Sequence, residues 1–424
     1  MDGGEIATGL PKTILYAGVP EGYDAVVTAE VAATGTGRDV LFVVRDDKRL
    51  AEAVTALNFF APDVRVLPFP AWDCLPYDRV SPRSDIIAQR IDTLTALLEQ
   101  DVPGSRIVVA TVAAVLQRVP APVVFQGASL SVSQMDGISR ERLVTFLDHN
   151  GYGRSDTVME PGEYALRGSI IDLFPPGFDD PLRLDFFGDD LESIRAFDAF
   201  SQRTSGTLET LNLKPVSELQ LNEDAITRFR TGYRALFGMP KSDDPLYESI
   251  SAGRSFMGVE HWLPLFQESL ATIVDYVPEG AIVFDYQAAE SREARLTLIA
   301  DCFDARTDVA AKGLVFAEAV YNPLPVERLY VPGTEFDSLL AGREVIQFHP
   351  FAAPESDGAI KDKGGRPGQT FAGARAQPEL NVFDALKSVA EDEARSGRQV
   401  LLACQTEGSR ERLAGMLREH GLSI

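Results

Sequence analysis

At 424 residues the chain is too long for one domain, and its 45% hydrophobic content is enough for each part to bury a core. A formal net charge of −23 repels phosphate backbones, which argues against nucleic acid as a ligand of this segment alone. Cys74, Cys302 and Cys404 form no CxxC pair and the four histidines are scattered, so neither a disulfide framework nor a metal site is expected. There is no signal-peptide pattern at the start and no run of about 18 apolar residues, so the expected place is the cytoplasm, without membrane contact.

In chain order, residues 25–27 read as a short strand, and 29–33 as at most a turn or two of helix. Residues 40–44 (VLFVV) form a continuous apolar run, the mark of a buried parallel strand. A helix over 48–60, a strand over 64–67 and a helix over 85–98 follow, the last with Ile87, Ile91, Leu94 and Leu98 on one stripe. Residues 106–110 (RIVVA) give another strand, and Thr111 opens the next helix. This rhythm predicts an open, mostly parallel α/β sheet.

From about residue 125 the rhythm changes. A helix over 139–149, closed by Asn150-Gly151, precedes successive strands over 162–174, 182–187 and 191–197. Pro175-Pro176-Gly177 and Gly188-Asp189-Asp190 separate them, so an antiparallel α+β domain is inserted here. Helices return after residue 219, with a strand over 281–284 (AIVF). Residues 354–378, rich in Gly, Pro, Asp and Lys, read as a long mobile loop. A helix over 382–394, a strand over 399–404 and a helix to His420 complete the reading. The last residues, 421–424, look like the start of another strand and suggest a cut inside a domain.

A nucleotide-binding P-loop needs glycines whose N–H groups surround phosphates, a Lys for the terminal phosphates and a hydroxyl for Mg²⁺. Residues 18–24 (GVPEGYD) stand at such a place. Gly18 and Gly22 keep the spacing only loosely, Tyr23 replaces the Lys and Asp24 the hydroxyl. Glu21 and Asp24 would add two negative charges beside a phosphate, so an ordinary strand-to-helix turn is the preferred reading. A second cluster, Gly35-Thr36-Gly37-Arg38, lacks the Lys and precedes a strand.

In residues 183–187 (RLDFF), period two puts Leu184 and Phe186 on one face and Arg183, Asp185 and Phe187 on the other. If the first face packs inward, Arg183 and Phe187 lie side by side outside, a composition typical of binding hot spots. The pattern alone leaves open whether Phe187 also packs inward.

Residues 160–175 (EPGEYALRGSIIDLFP), 183–188 (RLDFFG) and 198–204 (DAFSQRT) together resemble the N-terminal region of the bacterial transcription-repair coupling factor (Mfd) family. Residues 72–78 (WDCLPYD), 81–82, 85–94 (DIIAQRIDTL), 111–118 and 258–266 (GVEHWLPLF) fit the same family. The match is good from about residue 15 to 270, weaker to 343 and poor beyond. The resemblance implies a UvrB-like, degenerate NTPase fold in two sequence pieces, 1–125 and 219–343. It implies an inserted UvrA-interaction domain over 126–218; the pattern of the chain itself adds a further small α/β domain over 344–424. It implies that Arg167, Arg183 and Phe187 contact UvrA, imitating UvrB. It implies no cofactor in this segment, with ATP and Mg²⁺ in a translocase downstream. RNA polymerase and DNA would be contacted by downstream domains, and a C-terminal domain of the whole protein would cover the UvrA surface at rest.

The expected function is therefore a docking module without catalytic residues that brings UvrA to stalled transcription. The alternatives are an active ATPase or helicase half, resting on residues 18–24, and a DNA-binding UvrB-like repair protein. Trp72 and Tyr77 could form a base-stacking platform, but a loop shaped against the α/β core is preferred. His261-Trp262 reads as packed core rather than metal site. Asp185, Asp189, Asp190 and Glu192 read as a solvated turn rather than catalytic acids.

Overall fold

The computed structural model describes residues 12–34, 38–99, 102–126, 128–134, 138–240, 244–311, 321–356, 359–366, 368–376, 381–404 and 406–422. It opens on strand β1 (Lys12–Ala17), for which the sequence reading has no counterpart. The strand expected over 25–27 lies inside helix α1 (Tyr23–Thr34). Val26 and Val27 favour a strand locally, but Ala25, Thr28 and Ala32 recur at helical spacing and are buried. Packing of that stripe overrides local preference.

The next elements follow the expected rhythm: β2 (Val40–Val44), α2 (Asp47–Phe60), β3 (Arg65–Phe69), α3 (Ser84–Leu97) and β4 (Arg106–Thr111). Every residue of β2 is buried, as a central parallel strand requires. Asp46 starts α2 by accepting a hydrogen bond from the Arg49 amide, satisfying one of its orphan donors. Residues 35–37 of the second glycine cluster lie outside the described residues, as do Ser423 and Ile424.

The insert begins with β5 (Leu130–Ser133) and α4 (Arg140–His149), capped by Ser139 and ended by Asn150 before Gly151. The single strand expected over 162–174 is a hairpin, β6 (Glu163–Arg167) and β7 (Ile170–Leu173). Gly168, at φ +61°, supplies the left-handed residue of its two-residue turn. Then come β8 (Leu182–Phe187), β9 (Asp190–Phe197), β10 (Thr204–Leu208) and β11 (Thr210–Leu213). The six-stranded sheet runs β10-β9-β8-β7-β6, ending on the two-residue strand Gly153–Arg154; β11 pairs separately with β5. One face of the sheet packs on α4 in a private core that includes Leu143, Leu147, Tyr164, Ile171, Leu184 and Phe186.

After the insert come α5 (Glu223–Phe237), β12 (Ala281–Phe284), α6 (Ala288–Ala311), α7 (Gly333–Leu339), β13 (Glu344–Phe348) and β14 (Ile360–Asp362). The large sheet is all parallel, in the order β14-β1-β13-β12-β2-β4-β3. β13 lies between β1 and β12, so the boundary expected at 343/344 falls inside the sheet, and this compact unit runs to Arg366. The Gly- and Pro-rich composition of 354–378 conceals β14, whose three residues are too few to show a period.

Helix α3 ties the insert to the large sheet. Arg90, fully buried, donates to Glu218 Oε1 at 2.5 Å and to the Pro70 carbonyl at 2.8 Å, with its guanidinium over the Phe69 ring. Two residues on, Asp92 accepts from Lys214 Nζ at 3.0 Å. Glu218 and Lys214 belong to the strand end and exit of the insert, so a buried ion pair and a half-buried one mount it on a rigid helix.

The second unit, Pro367–Ile424, holds a short helix at Ala372–Ala376 and the longer α8 (Val382–Arg395) and α9 (Glu407–Glu419). His420 stacks on Phe383 and meets Asp384 at 3.0 Å. The strand expected over 399–404 is not formed: among the described residues this stretch joins no ladder, and Leu401 is exposed.

Candidate functional site

The alternation of β8 holds: Leu182, Leu184 and Phe186 are buried, Arg183 and Asp185 half-buried, and Phe187 is 75% exposed. Phe187 closes the hairpin with Asp190 at a two-residue turn, Gly188-Asp189, beyond the last core residue. Arg167 closes the neighbouring hairpin opposite Ile170, and β7 joins the two by pairing with both β6 and β8. Both hairpin tips therefore lie at one end of the sheet. Arg167 is exposed, donates to the Asp156 carbonyl and Thr157 Oγ1 at 3.1 Å each, and makes no ion pair among the described residues.

Arg183 and Phe187 share a face but are not side by side. Four residues of strand separate them, about 13 Å. Arg183 points into the sheet's own network: Nε and Nη2 lie 2.7 and 2.8 Å from the two carboxylate oxygens of Asp172, and Nη2 is 3.1 Å from Gln202 Oε1. Its guanidinium also rests over the Phe197 ring at 4.5 Å. The hydrogen bond to Asp172 pushes its pKa further up, so it stays charged throughout. Asp185, the next outward residue, accepts from Ser193 at 2.8 Å and pairs with Arg195. The outer face is thus a ladder of paired charges, with uncovered apolar side chains at its ends.

Asp172, Gln202 and Arg195 escape the sequence reading. With 162–174 taken as one strand, nothing sets Asp172 opposite Arg183. The turn Arg167-Gly168-Ser169-Ile170 was the available signal for two strands here, because a two-residue hairpin fixes the β6–β7 register; the β7–β8 register that sets Asp172 opposite Arg183 runs through residues 174–181 and has no such signal. Asp189 and Glu192 are exposed at the hairpin, whereas Asp185 is engaged as described.

Residues 18–24 lie between β1 and α1, with Gly18 and Gly22 at φ +63° and +91°. Their donors are taken from within the chain: Gly18 N–H donates to Phe351 O and Val19 N–H to His349 O, both at 2.9 Å. Tyr23 donates its hydroxyl proton to Lys363 O at 3.1 Å. Residues 362–366 fill the space above the loop. A Cβ at Gly365 would lie 2.5 Å from the Gly18 carbonyl oxygen and 2.6 Å from the Tyr23 ring, and one at Gly18 would meet Asp362, Gly365 and Arg366.

Asp24 is buried, accepts from the Gly22 and Ala25 amides, and pairs with Arg49. Arg49 also approaches Asp285, at 3.5 Å. Arg45, immediately after β2, bridges Asp285 at 3.3 Å and Glu21 at 2.7 Å. Burial pushes the Asp285 pKa up, opposed by Arg49 and Arg45. Three carboxylates and two guanidiniums thus gather at the carboxyl ends of β1, β2 and β12, where open parallel sheets usually take their ligands. Arg45, Arg49 and Asp285 are further residues that sequence reasoning passed over; each follows a parallel strand or starts the next helix, which is the only local signal they carry.

Trp72 and Tyr77 are buried and offer no open ring face. His261 is buried, with its ring edge-on to Trp72 at 5.6 Å and Nε2 3.9 Å from Cys74 Sγ. Burial lowers its pKa to about 4 and raises that of Cys74 to about 12. No group of three His, Cys, Asp or Glu able to hold a metal occurs among the described residues. No helix there is long and apolar enough to cross a membrane.

Residues 130–219, the insert, match the family model of the UvrB interaction domain. The chain is 34% identical over 275 residues to the transcription-repair-coupling factor of Haemophilus influenzae, covering 65% of this chain and 24% of that protein. For the Escherichia coli factor the identity is 35% over 274 residues, covering 64% and 23%. For that of Rickettsia bellii it is 27% over 407 residues, covering 95% and 35%. The chain spans about a quarter to a third of the length of these relatives and is similar to their N-terminal part.

Proposed function

We propose that this relative of the N-terminal part of transcription-repair-coupling factors is a docking module that recruits UvrA by presenting the contact domain that UvrB presents. The observation that carries the proposal is the match of residues 130–219 to the UvrB interaction domain, on whose solvent face Arg183 and Phe187 lie. Phe187 is the anchor, since an exposed aromatic at a hairpin tip buries much area at little entropic cost. Arg167 carries a charge that no carboxylate among the described residues answers and is available to a partner's acceptor. Arg183 acts with Asp172 as a preformed polar platform rather than as a free cation.

The second part of the proposal is that the module performs no nucleotide chemistry. It is supported by the donors of Gly18 and Val19 already being engaged, by Gly365 against the loop, and by three carboxylates at the strand ends. A phosphate there would displace residues 362–366 and face Glu21, Asp24 and Asp285. In the whole protein, ATP-driven translocation with Mg²⁺ and the contacts with RNA polymerase and DNA would fall to the remaining length. A C-terminal domain covering the docking face at rest belongs to the same proposal.

Titration calorimetry of purified UvrA into the 424-residue chain tests the first part. Phe187→Ala should weaken binding by at least about tenfold. Unchanged affinity would remove the face from the contact. Titration with Mg·ATP tests the second part: no heat is expected, and micromolar binding would overturn it.

A further inference from the structure

The insert carries a second exposed phenylalanine at the opposite end of the same sheet. Phe200, 86% exposed, lies in the loop between β9 and β10. The loop is held shut from within. Asp198 N–H donates to Arg203 O at 2.9 Å, Gln202 N–H to Asp198 O at 2.8 Å, and Ser201 N–H to Asp198 Oδ1 at 2.6 Å. Gln202 sits at φ +58°, a strained conformation for a non-glycine residue, and is locked by both ends of its amide. Its Nε2 donates to Ala199 O at 2.8 Å, while its Oε1 accepts from Arg183. Phe200 is therefore presented by a fixed loop that is bonded directly to Arg183.

The two ends of the sheet match in chemistry. At one, Phe187 lies near Arg167; at the other, Phe200 lies near Arg203, which is also exposed and without an ion pair among the described residues. Arg183 stands between them. Along β9 the two ends are roughly 25 Å apart. A standard interface takes about 800 Å² from each partner, a patch roughly 30 Å across, so one footprint is wide enough to reach both. Phe59 and Phe60, the other exposed aromatic pair, lie on α2 outside the matched domain and have no such link.

We propose that Phe200, with Arg203 beside it, is a second anchor for the same protein partner. It takes an apolar pocket rimmed by carboxylates, and Gln202 is the positioning residue that aims it. This rests on the reading of the insert as the UvrA-docking domain. Preorganisation of the loop is what favours it, because an exposed ring held in place loses little freedom on binding.

The test compares Phe200→Ala, Phe200→Tyr, Phe187→Ala and Phe59→Ala in the full chain by calorimetry with purified UvrA, with thermal unfolding as the folding control. Phe200→Ala is expected to weaken binding about tenfold without changing the melting temperature. Phe200→Tyr should keep most of the affinity and Phe59→Ala all of it. If Phe187→Ala weakens binding and Phe200→Ala does not, the second anchor is wrong while the docking reading stands. If neither weakens it, the docking reading itself fails.

Discussion

Arg183 and Asp172 face each other across β7 and β8, with the guanidinium Nε and Nη2 donating to the two carboxylate oxygens at 2.7 and 2.8 Å. Asp172 is buried and Arg183 largely covered, so neither charge is well hydrated without the other. Breaking such a pair costs more than the pair contributes, because one charge is left stranded. Asp172→Ala should lower stability by about 3 kcal/mol, and Arg183→Ala by a similar amount. The double variant should cost clearly less than the sum. Urea unfolding of the four proteins reads this directly. Additive losses would mean that the two side chains act independently. The consequence for the docking face is that a binding defect in Arg183→Ala must be judged against its folding defect, whereas Phe187→Ala needs no such correction.

The loop at residues 18–24 gives the second prediction. Restoring the missing groups by Tyr23→Lys with Asp24→Thr should not create a nucleotide site. The double substitution removes the carboxylate that pairs with buried Arg49, and it leaves Gly365 where the phosphates would go. The expected outcome is a loss of about 3 kcal/mol in stability and no heat with Mg·ATP. ATP binding at micromolar strength in the double variant would mean that residue identity alone, and not occupancy by residues 362–366, disables the loop.

A truncation separates the expected domain boundary from the observed one. Residues 1–343 lack β13, an inner strand between β1 and β12, together with the edge strand β14. Residues 1–366 retain both and end where the first compact unit ends. The shorter fragment should be unfolded or aggregated, and the longer one should give a cooperative thermal transition, since an inner strand carries ladders on both sides. Circular dichroism melts of the two fragments check this. Cooperative folding of 1–343 would show that β1 and β12 can close the gap.

That boundary illustrates what the sequence could and could not reveal. VLFVV at 40–44 and IVVA at 107–110 are apolar throughout because both faces of their sheet are covered, and such runs are legible without any structure. β14 has three residues and β13 five, with Glu344 and Gln347 interrupting the run, so no period announces them. The outward face of β8 was legible from strict alternation, but the pattern left the exposure of Phe187 open, and the structure decides it. The partner of Arg183 was not, because it depends on the split into β6 and β7 at Gly168 and on a β7–β8 register that the connection over 174–181 does not announce. The ion cluster of Asp24, Arg45, Arg49 and Asp285 joins residues up to 261 positions apart. Only the order of the parallel strands brings them together, and local pattern carries no information about that order.

His261 provides a pH-dependent outcome. It is buried against Trp72, its Nδ1 has no hydrogen-bond partner among the described residues, and Nε2 faces the Cys74 thiol. Burial is the main cause of its low pKa; Asp78 opposes the shift and Arg306 adds to it. The folded pKa of about 4 lies below the ordinary 6.5, so below pH 6.5 the unfolded chain takes up a proton that the folded chain refuses. The stability due to neutral His261 is therefore fully present above about pH 6.5 and is lost as pH falls toward 4, by on the order of 3 kcal/mol. Carboxylates titrate in the lower part of that window, so the difference between two proteins is what matters. His261→Gln keeps a polar side chain without a proton to gain, and its stability should fall less steeply between pH 6.5 and 5 than that of the unsubstituted chain. Urea midpoints at half-unit pH steps measure it. Parallel curves for the two proteins would mean that His261 is protonated in the folded state at an ordinary pKa, through water reaching the ring.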